Sequence, residues 1–307
     1  MDYTSDMKFR ALVATAALLF LASAAQSKPA SPKPASAEYE KEIAAWRAER
    51  VKGLQSPEGW LTLEGLFWLK DGANTLGSDA GNDIKLPAAA PANLGVVELS
   101  GKTVRFTPEA GTGLKLNNQP ARTQELKYDE SPDKLQIGPL TMIIIQRGER
   151  FALRLKNREA KTLREFRGLR YFPANHDLRV VAHWVPYNPP KNIAVPTVLG
   201  TAEQMPSPGR AEFTVNGKKV SLEPVLEEPD SKELFFIFKD ATAGKETYGA
   251  GRFLYTDLSK DGKVVLDFNK AQNPPCAFTP YATCPIPPKQ NVLPVAILAG
   301  EKSYGHH

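Results

Sequence analysis

The sequence is poor in the residues that build metal and redox centres, because its 307 residues include only two cysteines and four histidines. Neither a Cys-x-x-Cys nor a His-Glu-x-x-His pattern occurs, which excludes the familiar zinc motifs. His176, Asp177 and His183 are the only neighbouring candidates for a metal site. The odd spacing of the two histidines does not suit one face of a strand. We therefore predict no metal ligand.

Nucleotide-binding and nucleophile motifs are also missing. The sequence has no Gly-x-Ser-x-Gly elbow and no Walker loop, and Gly249-Ala250-Gly251 lacks the third glycine of a dinucleotide fingerprint. These absences argue against a standard serine hydrolase and against a nucleotide enzyme. No cofactor is predicted.

Long hydrophobic runs are absent after the N-terminus. The apolar stretch from Ala11 to Ala25 follows Lys8 and Arg10 and contains Ala22-Ser23-Ala24. It is too short for a membrane span and has the three parts of a secretory signal. We predict a signal peptide over residues 1–25 and a Pro/Ala/Ser/Lys linker over 26–37. The mature protein should be exported, periplasmic or extracellular, and soluble, with no stable membrane insertion.

Cys276 and Cys284 are the two cysteines. Export would place them where disulfides persist, so a local disulfide between them is predicted. The alternative is a functional thiol pair, in which His176 or His183 would serve as the base for a nucleophilic cysteine.

The pattern of apolar residues predicts one long helix followed by short strands. Apolar residues recur at helical spacing from Glu38 to Gly53, and short apolar runs separated by Gly, Asn, Asp and Pro follow Pro57. The predicted fold class is all-β, mainly antiparallel, with two sandwich-like or barrel-like domains and one N-terminal amphipathic helix. The predicted domains cover residues 38–157 and 158–303. The proline-rich segment from Pro186 to Pro208 is expected to be an irregular connection.

A basic segment lies near the predicted boundary. Between Arg147 and Arg170 there are nine basic and three acidic residues. Strict alternation from Arg150 to Lys156 predicts that Phe151, Leu153 and Leu155 face a core, and that Arg150, Arg154 and Lys156 form a cationic face. This face is either solvated or binds anionic lipid or polysaccharide. Export argues against a nucleic-acid partner.

The N-terminal half resembles a known β-sandwich. The run from Leu76 to Pro87, with Leu116-Asn117-Asn118-Gln119 and Ile137-Gly138, resembles forkhead-associated domains, which implies a sandwich over 60–157. Phosphothreonine-binding members have an arginine after the first glycine and a Ser and a His in the next loop. Ser78 stands in place of that arginine, and residues 88–94 contain neither Ser nor His. The resemblance therefore implies fold rather than phosphopeptide binding.

Longer motifs resemble the family called domain of unknown function 1684. They are Gly59-Trp60-Leu61-Thr62-Leu63-Glu64-Gly65-Leu66-Phe67-Trp68-Leu69, Thr247-Tyr248-Gly249-Ala250-Gly251-Arg252, Asp267-Phe268-Asn269, Asn273-Pro274-Pro275-Cys276-Ala277-Phe278, Cys284-Pro285-Ile286-Pro287-Pro288, Asn291 and Ala299-Gly300-Glu301-Lys302. The resemblance covers the mature chain and implies no activity.

Polar residues gather at predicted strand ends in the C-terminal half. Loops on a rigid β scaffold commonly carry binding groups, and an arginine fork suits a carboxylate or phosphate. We therefore predict a site for a small polar or anionic ligand, with Arg252 as the anion contact. The predicted ligand-binding residues are Arg252, Tyr248, Asp240, Asp267, Asn269, Asn273 and Asn291.

Two other interpretations of this cluster remain open. Asp240 and Asp267 are candidate acid and base residues of a hydrolase acting on an envelope ester or glycan. Alternatively the cluster is structural, with a capped Asp240–Thr242 turn and Arg252 paired with Asp267, in a structural or interaction protein. The residues alone do not decide whether the protein is an enzyme.

Overall fold

The computed structural model describes residues 36–305. The predicted signal peptide, and the linker up to residue 35, lie outside the described residues. No helix within residues 36–305 is long and apolar enough to cross a membrane.

The described chain begins with helix α1 (Ala37–Gln55). The Ser36 side chain caps the helix by accepting a hydrogen bond from the backbone N–H of Tyr39, and Glu38 and Glu40 lie in the first turn, where the helix dipole favours negative charge. Tyr39, Ile43 and Leu54 are buried against the β structure. The predicted helix is confirmed.

The first β region follows a short turn at Trp60–Thr62. Its strands are β1 (Leu63–Trp68), β2 (Gly72–Gly77), β3 (Ile84–Lys85), β4 (Gly95–Ser100), β5 (Thr103–Pro108), β6 (Lys115–Leu116), β7 (Gln119–Pro120), β8 (Gln124–Glu125), β9 (Leu135–Ile137), β10 (Leu140–Arg147) and β11 (Arg150–Asn157). One sheet has the order β1-β11-β10-β9-β6-β7 and the other has the order β3-β2-β4-β5-β8. Leu76, Val97, Phe106, Met142 and Leu153 belong to one buried core.

The second β region follows helix α2 (Lys161–Arg164) and a turn at His176–Leu178. Its strands are β12 (Arg179–Pro196), β13 (Ala202–Val215), β14 (Lys218–Leu222), β15 (Glu233–Phe238), β16 (Arg252–Asp257) and β17 (Lys263–Asp267). Four of them form a sheet in the order β14-β13-β12-β17, while β15 pairs with β16. Turns at Phe268–Lys270, Pro275–Ala277 and Lys289–Asn291 complete the region.

The predicted fold class is confirmed, because the described chain is mainly β with mostly antiparallel pairing and one long N-terminal helix. The boundary between residues 157 and 158 stays a prediction. One apolar cluster contains Leu63 from β1 together with Val195, Phe235 and Phe253 from the second region.

Two local predictions were wrong. The segment from Pro186 to Pro208 is not an irregular connection, because most of it lies in the long antiparallel pair of β12 and β13. The register shift between Pro186 and Lys191 accommodates the prolines that cannot donate to a ladder. Arg154 does not face solvent, since only 7% of it is exposed. The second face of β11 is covered at Arg154, which reaches toward Trp60 and Cys284, while Arg150 on the same face is exposed.

Candidate anion-binding site

The predicted anion contact, Arg252, is enclosed in protein. Its exposed fraction is 1%, and its Nη2 donates to Asp240 Oδ2 at 2.7 Å and to the Ile297 carbonyl at 3.0 Å. Its Nη1 donates to the Ala299 carbonyl. The pairing partner is Asp240 and not Asp267, which the structural alternative had proposed. Burial lowers the pKa of Arg252, and the Asp240 carboxylate opposes that shift.

The Asp240 carboxylate is also fully engaged. Its Oδ1 accepts hydrogen bonds from the Thr242 backbone N–H at 2.9 Å, the Thr242 hydroxyl at 2.7 Å and the Ile297 N–H at 3.2 Å. These bonds form the capped turn that the structural alternative expected. A carboxylate held by so many donors anchors the loop around it.

Asp267 and Asn269 hold helix α1 against the second region. The Tyr39 hydroxyl donates to Asp267 Oδ1 at 2.7 Å, and Asn269 Nδ2 donates to the Tyr39 oxygen at 2.9 Å and to the Asn175 carbonyl at 2.8 Å. Arg179 Nε lies 3.8 Å from Asp267 Oδ2. Burial and the hydrogen bond to Asp267 raise the pKa of Tyr39, which keeps the hydroxyl a donor.

The other predicted ligand-binding residues contact backbone groups. Asn291 Nδ2 donates to the carbonyls of Glu223 and Ile237 at 2.8 and 2.9 Å. Asn273 Nδ2 donates to the Lys302 carbonyl at 2.8 Å, and the Tyr248 hydroxyl donates to the Cys276 carbonyl at 3.1 Å. The structure therefore distributes the predicted residues among separate networks. Their ligand-binding role, and the catalytic role of Asp240 and Asp267, stay predictions.

A different set of residues lines a cavity of about 200 Å³. The cavity lies where the outer face of β11 meets β15, β16 and the C-terminal loops. Its lining comprises Arg50, Trp60, Arg147, Arg154, Glu227, Phe235, Phe253, Tyr255, Gln272, Asn273, Pro275, Thr283, Cys284 and Pro285. Only Asn273 and Cys284 of these residues were singled out from the sequence as site or disulfide residues.

Arg154 is the distinctive residue of this cavity. Its Nε and Nη2 are buried and make no hydrogen bond, and no carboxylate of residues 36–305 pairs with it. Burial, followed by repulsion from Arg147, lowers the pKa of Arg154 to about 10. The guanidinium is therefore still charged at neutral pH and has no acidic partner among residues 36–305.

Arg147 adds a second positive charge without a carboxylate partner in the described part of the chain. Its Nε donates to the Thr283 hydroxyl at 3.0 Å and its Nη1 to the Gln146 carbonyl at 2.7 Å. Arg50 differs, because its Nε pairs with Glu301 at 2.9 Å and its Nη2 donates to the Asn273 carbonyl at 2.9 Å. The cavity thus has a net positive lining.

Aromatic rings form the walls around these charges. The Arg154 guanidinium carbon lies 5.5 Å from the ring centroid of Trp60. Phe235 stacks on Tyr255 at 4.6 Å and meets Phe253 edge-on at 4.8 Å. Glu227 is exposed. Such low-dielectric walls strengthen the interaction of a guanidinium with an anion.

The cysteine pair lies beside the cavity. Both cysteines are free thiols, and the Cys276 backbone N–H lies 3.1 Å from Cys284 Sγ. The hydrogen bond between the two side chains lowers the pKa of Cys276 and raises that of Cys284. The predicted disulfide is not formed in this structure and stays a prediction.

Sequence reasoning missed Arg147 and Arg154 as site residues. Alternation along β11 assigned Arg154 to a solvent face, because a period of two does not reveal whether the second face is covered. The concentration of basic residues from Arg147 to Arg170 was the only signal in this region. Among residues 36–305, no three His, Cys, Asp or Glu side chains come together as metal ligands would.

Comparisons with known proteins give a family but no activity. Residues 164–302 match the model of a family described as protein of unknown function, DUF1684. An uncharacterized protein of Haloarcula marismortui, solved by solution NMR, is 31% identical, with 45% of this chain and 78% of that chain covered and a TM-score of 0.39. Among curated proteins, none matches the chain.

The forkhead-associated likeness is distant. A domain solved in a structural and functional analysis of phosphothreonine-dependent interactions is 15% identical, with 30% of this chain and 92% of that chain covered and a TM-score of 0.22. Mycobacterium tuberculosis EmbR, solved with a low-affinity phosphopeptide, is 16% identical, with 41% of this chain and 33% of that chain covered and a TM-score of 0.20. The resemblance to DUF1684 is confirmed for residues 164–302, and the forkhead-associated resemblance is confirmed as a distant similarity over about 30% of the chain.

Proposed function

The chain belongs, in its C-terminal half, to the DUF1684 family, and from this premise we propose that the protein binds a small anion in the cavity lined by Arg147 and Arg154. We call this the arginine cavity. One observation carries the proposal: Arg154 is buried beside the cavity with two N–H-bearing nitrogens that no protein atom accepts from.

The physical reason is the cost of burying an unpaired charge. Removing a guanidinium from water without a partner costs several kcal/mol, and buried polar groups are otherwise nearly always hydrogen-bonded. A carboxylate or phosphate would accept from the planar fork of Arg154 and neutralise its charge. Arg147, held by Thr283, would supply a second donor group.

The size and walls of the cavity favour a small molecule over a polymer. About 200 Å³ suits a compact ligand, and aromatic walls with a few polar groups are typical of small-molecule sites. The proposal keeps the ligand class predicted from the sequence, a small polar or anionic compound, and transfers the anion contact from Arg252 to Arg154. We propose binding rather than hydrolysis, since neither Asp240 nor Asp267 lines this cavity.

Export completes the proposal. It is supported by the sequence from Lys8 to Ala25, which has the parts of a signal peptide. The ligand would then be an envelope or extracellular metabolite, and the two thiols beside the cavity would be free to form the predicted disulfide.

The test is binding of defined anions to the purified protein. Phosphate, sulfate, acetate and benzoate are titrated by calorimetry, and the melting temperature is measured with each, because a ligand of the native state raises it. Arg154→Met removes the guanidinium but keeps an unbranched apolar side chain. Arg150→Met is the matched control on the same strand, because Arg150 is exposed and stacks on Trp68.

We expect at least one anion to bind the wild type and the Arg150→Met variant, and to bind Arg154→Met about tenfold more weakly or not at all, which corresponds to about 1.4 kcal/mol. Equal affinity for all three proteins, or no binding of any of these anions by the wild type, would overturn the proposal.

A further inference from the structure

The arginine cavity is also lined by a residue with an unsatisfied hydrogen-bond acceptor. Asn273 lines the cavity with an exposed fraction of 1%, and its Oδ1 is buried and receives no hydrogen bond. The other polar groups of Asn273 are engaged, because its backbone N–H donates to Glu301 Oε2 at 2.7 Å and its Nδ2 donates to the Lys302 carbonyl at 2.8 Å. Buried amide oxygens are nearly always hydrogen-bonded. A ligand that carries a donor would supply the missing partner.

One carboxylate lines the same cavity. Among residues 36–305, Glu227 is the single acidic residue of the lining, and no lysine or arginine forms an ion pair with it. The surrounding protein, followed by repulsion from Glu228 and Glu233, raises the pKa of Glu227, while a hydrogen bond from Tyr255 opposes that shift. A cation beside Glu227 would relieve the repulsion among these carboxylates.

The opposite charges of the cavity do not neutralise each other. The charged groups that shift the pKa of Arg154 are Arg147 and Cys284, and Glu227 is not one of them. Within the described part of the chain, neither arginine pairs with Glu227. The two kinds of charge therefore line one cavity of about 200 Å³ without contact between them. A ligand that contacts both would carry an anionic group and a cationic group.

Aromatic side chains line the rest of the cavity. Trp60, Phe235 and Phe253 belong to its lining, and the exposed fractions of Phe235 and Phe253 are 3% and 6%. Apolar walls with a few polar groups are typical of sites that bind organic molecules. Phosphate or sulfate would make no use of these rings, whereas a carbon chain would pack against them.

Resting on the proposed anion site, we propose that the ligand is a zwitterionic amino acid. Its carboxylate binds Arg154 and Arg147, its ammonium group donates to Asn273 Oδ1 and to Glu227, and its carbon chain packs against the aromatic rings. Each part of such a ligand meets a group of the cavity that has no partner of that kind in the protein. The ammonium group distinguishes this ligand from a simple carboxylate.

This arrangement predicts that both charged groups of the ligand are required. A site with polar groups that await a partner discriminates strongly against an analogue that lacks the matching group, because the polar group of the protein is then buried unpaired. Loss of the ammonium group leaves Asn273 Oδ1 without a donor. Loss of the carboxylate leaves Arg154 without an acceptor and brings a cation toward two guanidinium groups.

The experiment titrates four compounds into the purified full-length protein by calorimetry. Norleucine and ε-aminocaproate are isomeric zwitterions that differ in the distance between their charges. Both become hexanoate when the ammonium group is removed, and both become pentylamine when the carboxylate is removed. We expect at least one of the two isomers to bind about tenfold or more tightly than either hexanoate or pentylamine. The isomer that binds more tightly reports the charge separation that the cavity accepts.

A pair of variants tests the ammonium contact. Glu227→Gln removes the charge but keeps the shape of an exposed side chain, and Glu228→Gln is the matched control, because Glu228 is exposed and does not line the cavity. Glu227→Gln should bind the preferred isomer about tenfold more weakly and should bind hexanoate no more weakly than the wild type does. Glu228→Gln should bind both as the wild type does. Equal affinity of the two variants for the preferred isomer would contradict the assigned contact.

The hexanoate titration separates this proposal from the anion site. If hexanoate binds the wild type more tightly than it binds Arg154→Met, but neither zwitterion exceeds hexanoate, the amino-acid proposal fails and the anion site stands. If Arg154→Met changes the binding of none of the four compounds, both proposals fail.

Discussion

Among residues 36–305, two arginines are buried, one in each β region, and they differ in what surrounds their charge. Arg252 has an exposed fraction of 1% and is bound by Asp240 and by two backbone carbonyls. Arg154 has an exposed fraction of 7%, but two of its nitrogens have no acceptor and its nearest charged neighbour in the cavity is another arginine. The charge of Arg252 is paired with a carboxylate, although its Nε makes no hydrogen bond, whereas the charge of Arg154 has no acidic partner among residues 36–305.

The free-energy cost of burying each arginine distinguishes a structural role from a binding role. Breaking a buried pair leaves one uncompensated charge and costs about 3–5 kcal/mol. Replacing a buried charge that has no partner with an apolar group of similar size instead removes the desolvation penalty of that charge. A protein that keeps the costly arrangement at Arg154 gives up stability there, as binding sites commonly do. Each experiment below changes one side of this comparison.

The largest effect is expected at the complete pair. Arg252→Met leaves the Asp240 carboxylate buried without its cation, so the free energy of unfolding should fall by about 3–5 kcal/mol. Urea denaturation followed by circular dichroism measures it. Asp240→Asn keeps the shape and several of the hydrogen bonds and should cost less than Arg252→Met. A loss below about 1 kcal/mol for Arg252→Met would show that the pair is not a structural anchor.

The opposite sign is expected at the incomplete site. Arg154→Met should leave the free energy of unfolding unchanged or raise it, by about 1–3 kcal/mol, because an unpaired charge leaves the interior. The measurement is urea denaturation in a buffer of low anion content, since a bound anion would stabilise the wild type. A destabilisation of several kcal/mol would mean that Arg154 has a protein partner after all.

A smaller effect is expected when the second arginine of the cavity loses its support. Thr283→Val removes the hydroxyl that holds Arg147 Nε at 3.0 Å, and a hydrogen bond to a charged group contributes about 1.5–3 kcal/mol at most. We expect anion affinity to fall about fivefold, equivalent to about 1 kcal/mol, as measured by calorimetry. Thr283→Ser, which keeps the hydroxyl, should bind as the wild type does. A loss of the same size in both variants would contradict this role for the hydroxyl.

The smallest effect is expected at the exposed arginine of the same strand. Arg150 stacks over Trp68 with its guanidinium carbon 3.8 Å from the ring centroid. Exposed contacts of this kind contribute about 0.5–1 kcal/mol, so Arg150→Met should lower the free energy of unfolding by no more than that and leave anion binding unchanged. A strong effect on binding would extend the site along β11 from Arg154 toward Arg150.

The parts of the fold that are determined by residues close together in the sequence could be predicted. Helix α1 follows from the capping serine and apolar residues at helical spacing, and the strands of the first region follow from short apolar runs between turn residues. The family resemblance also follows from contiguous motifs. The cation partner of Arg252 did not, because Asp240 and Asp267 both lie within 15 residues of it along the chain, and nothing in their spacing prefers one of them.

The candidate site depended on contacts between distant segments. Arg154 and Cys284 belong to one cavity although 130 residues separate them. Alternation along β11 assigned one face to the core correctly but could not show that the C-terminal loops cover the other. The proline-rich segment was mispredicted for a related reason, since its pairing with the distant strand β13, with a register shift between Pro186 and Lys191, is not visible in the local sequence.

By itself, the sequence determined the class of fold, the N-terminal helix, the family and the excess of basic residues near Arg147, because each of these is a property of local pattern or of composition. Only the tertiary structure decided which basic residue is buried without an acidic partner. Arg252 lies beside a carboxylate in the protein interior, whereas Arg154 lies beside another cation. This difference arises because segments that are distant in the sequence pack against the same strand.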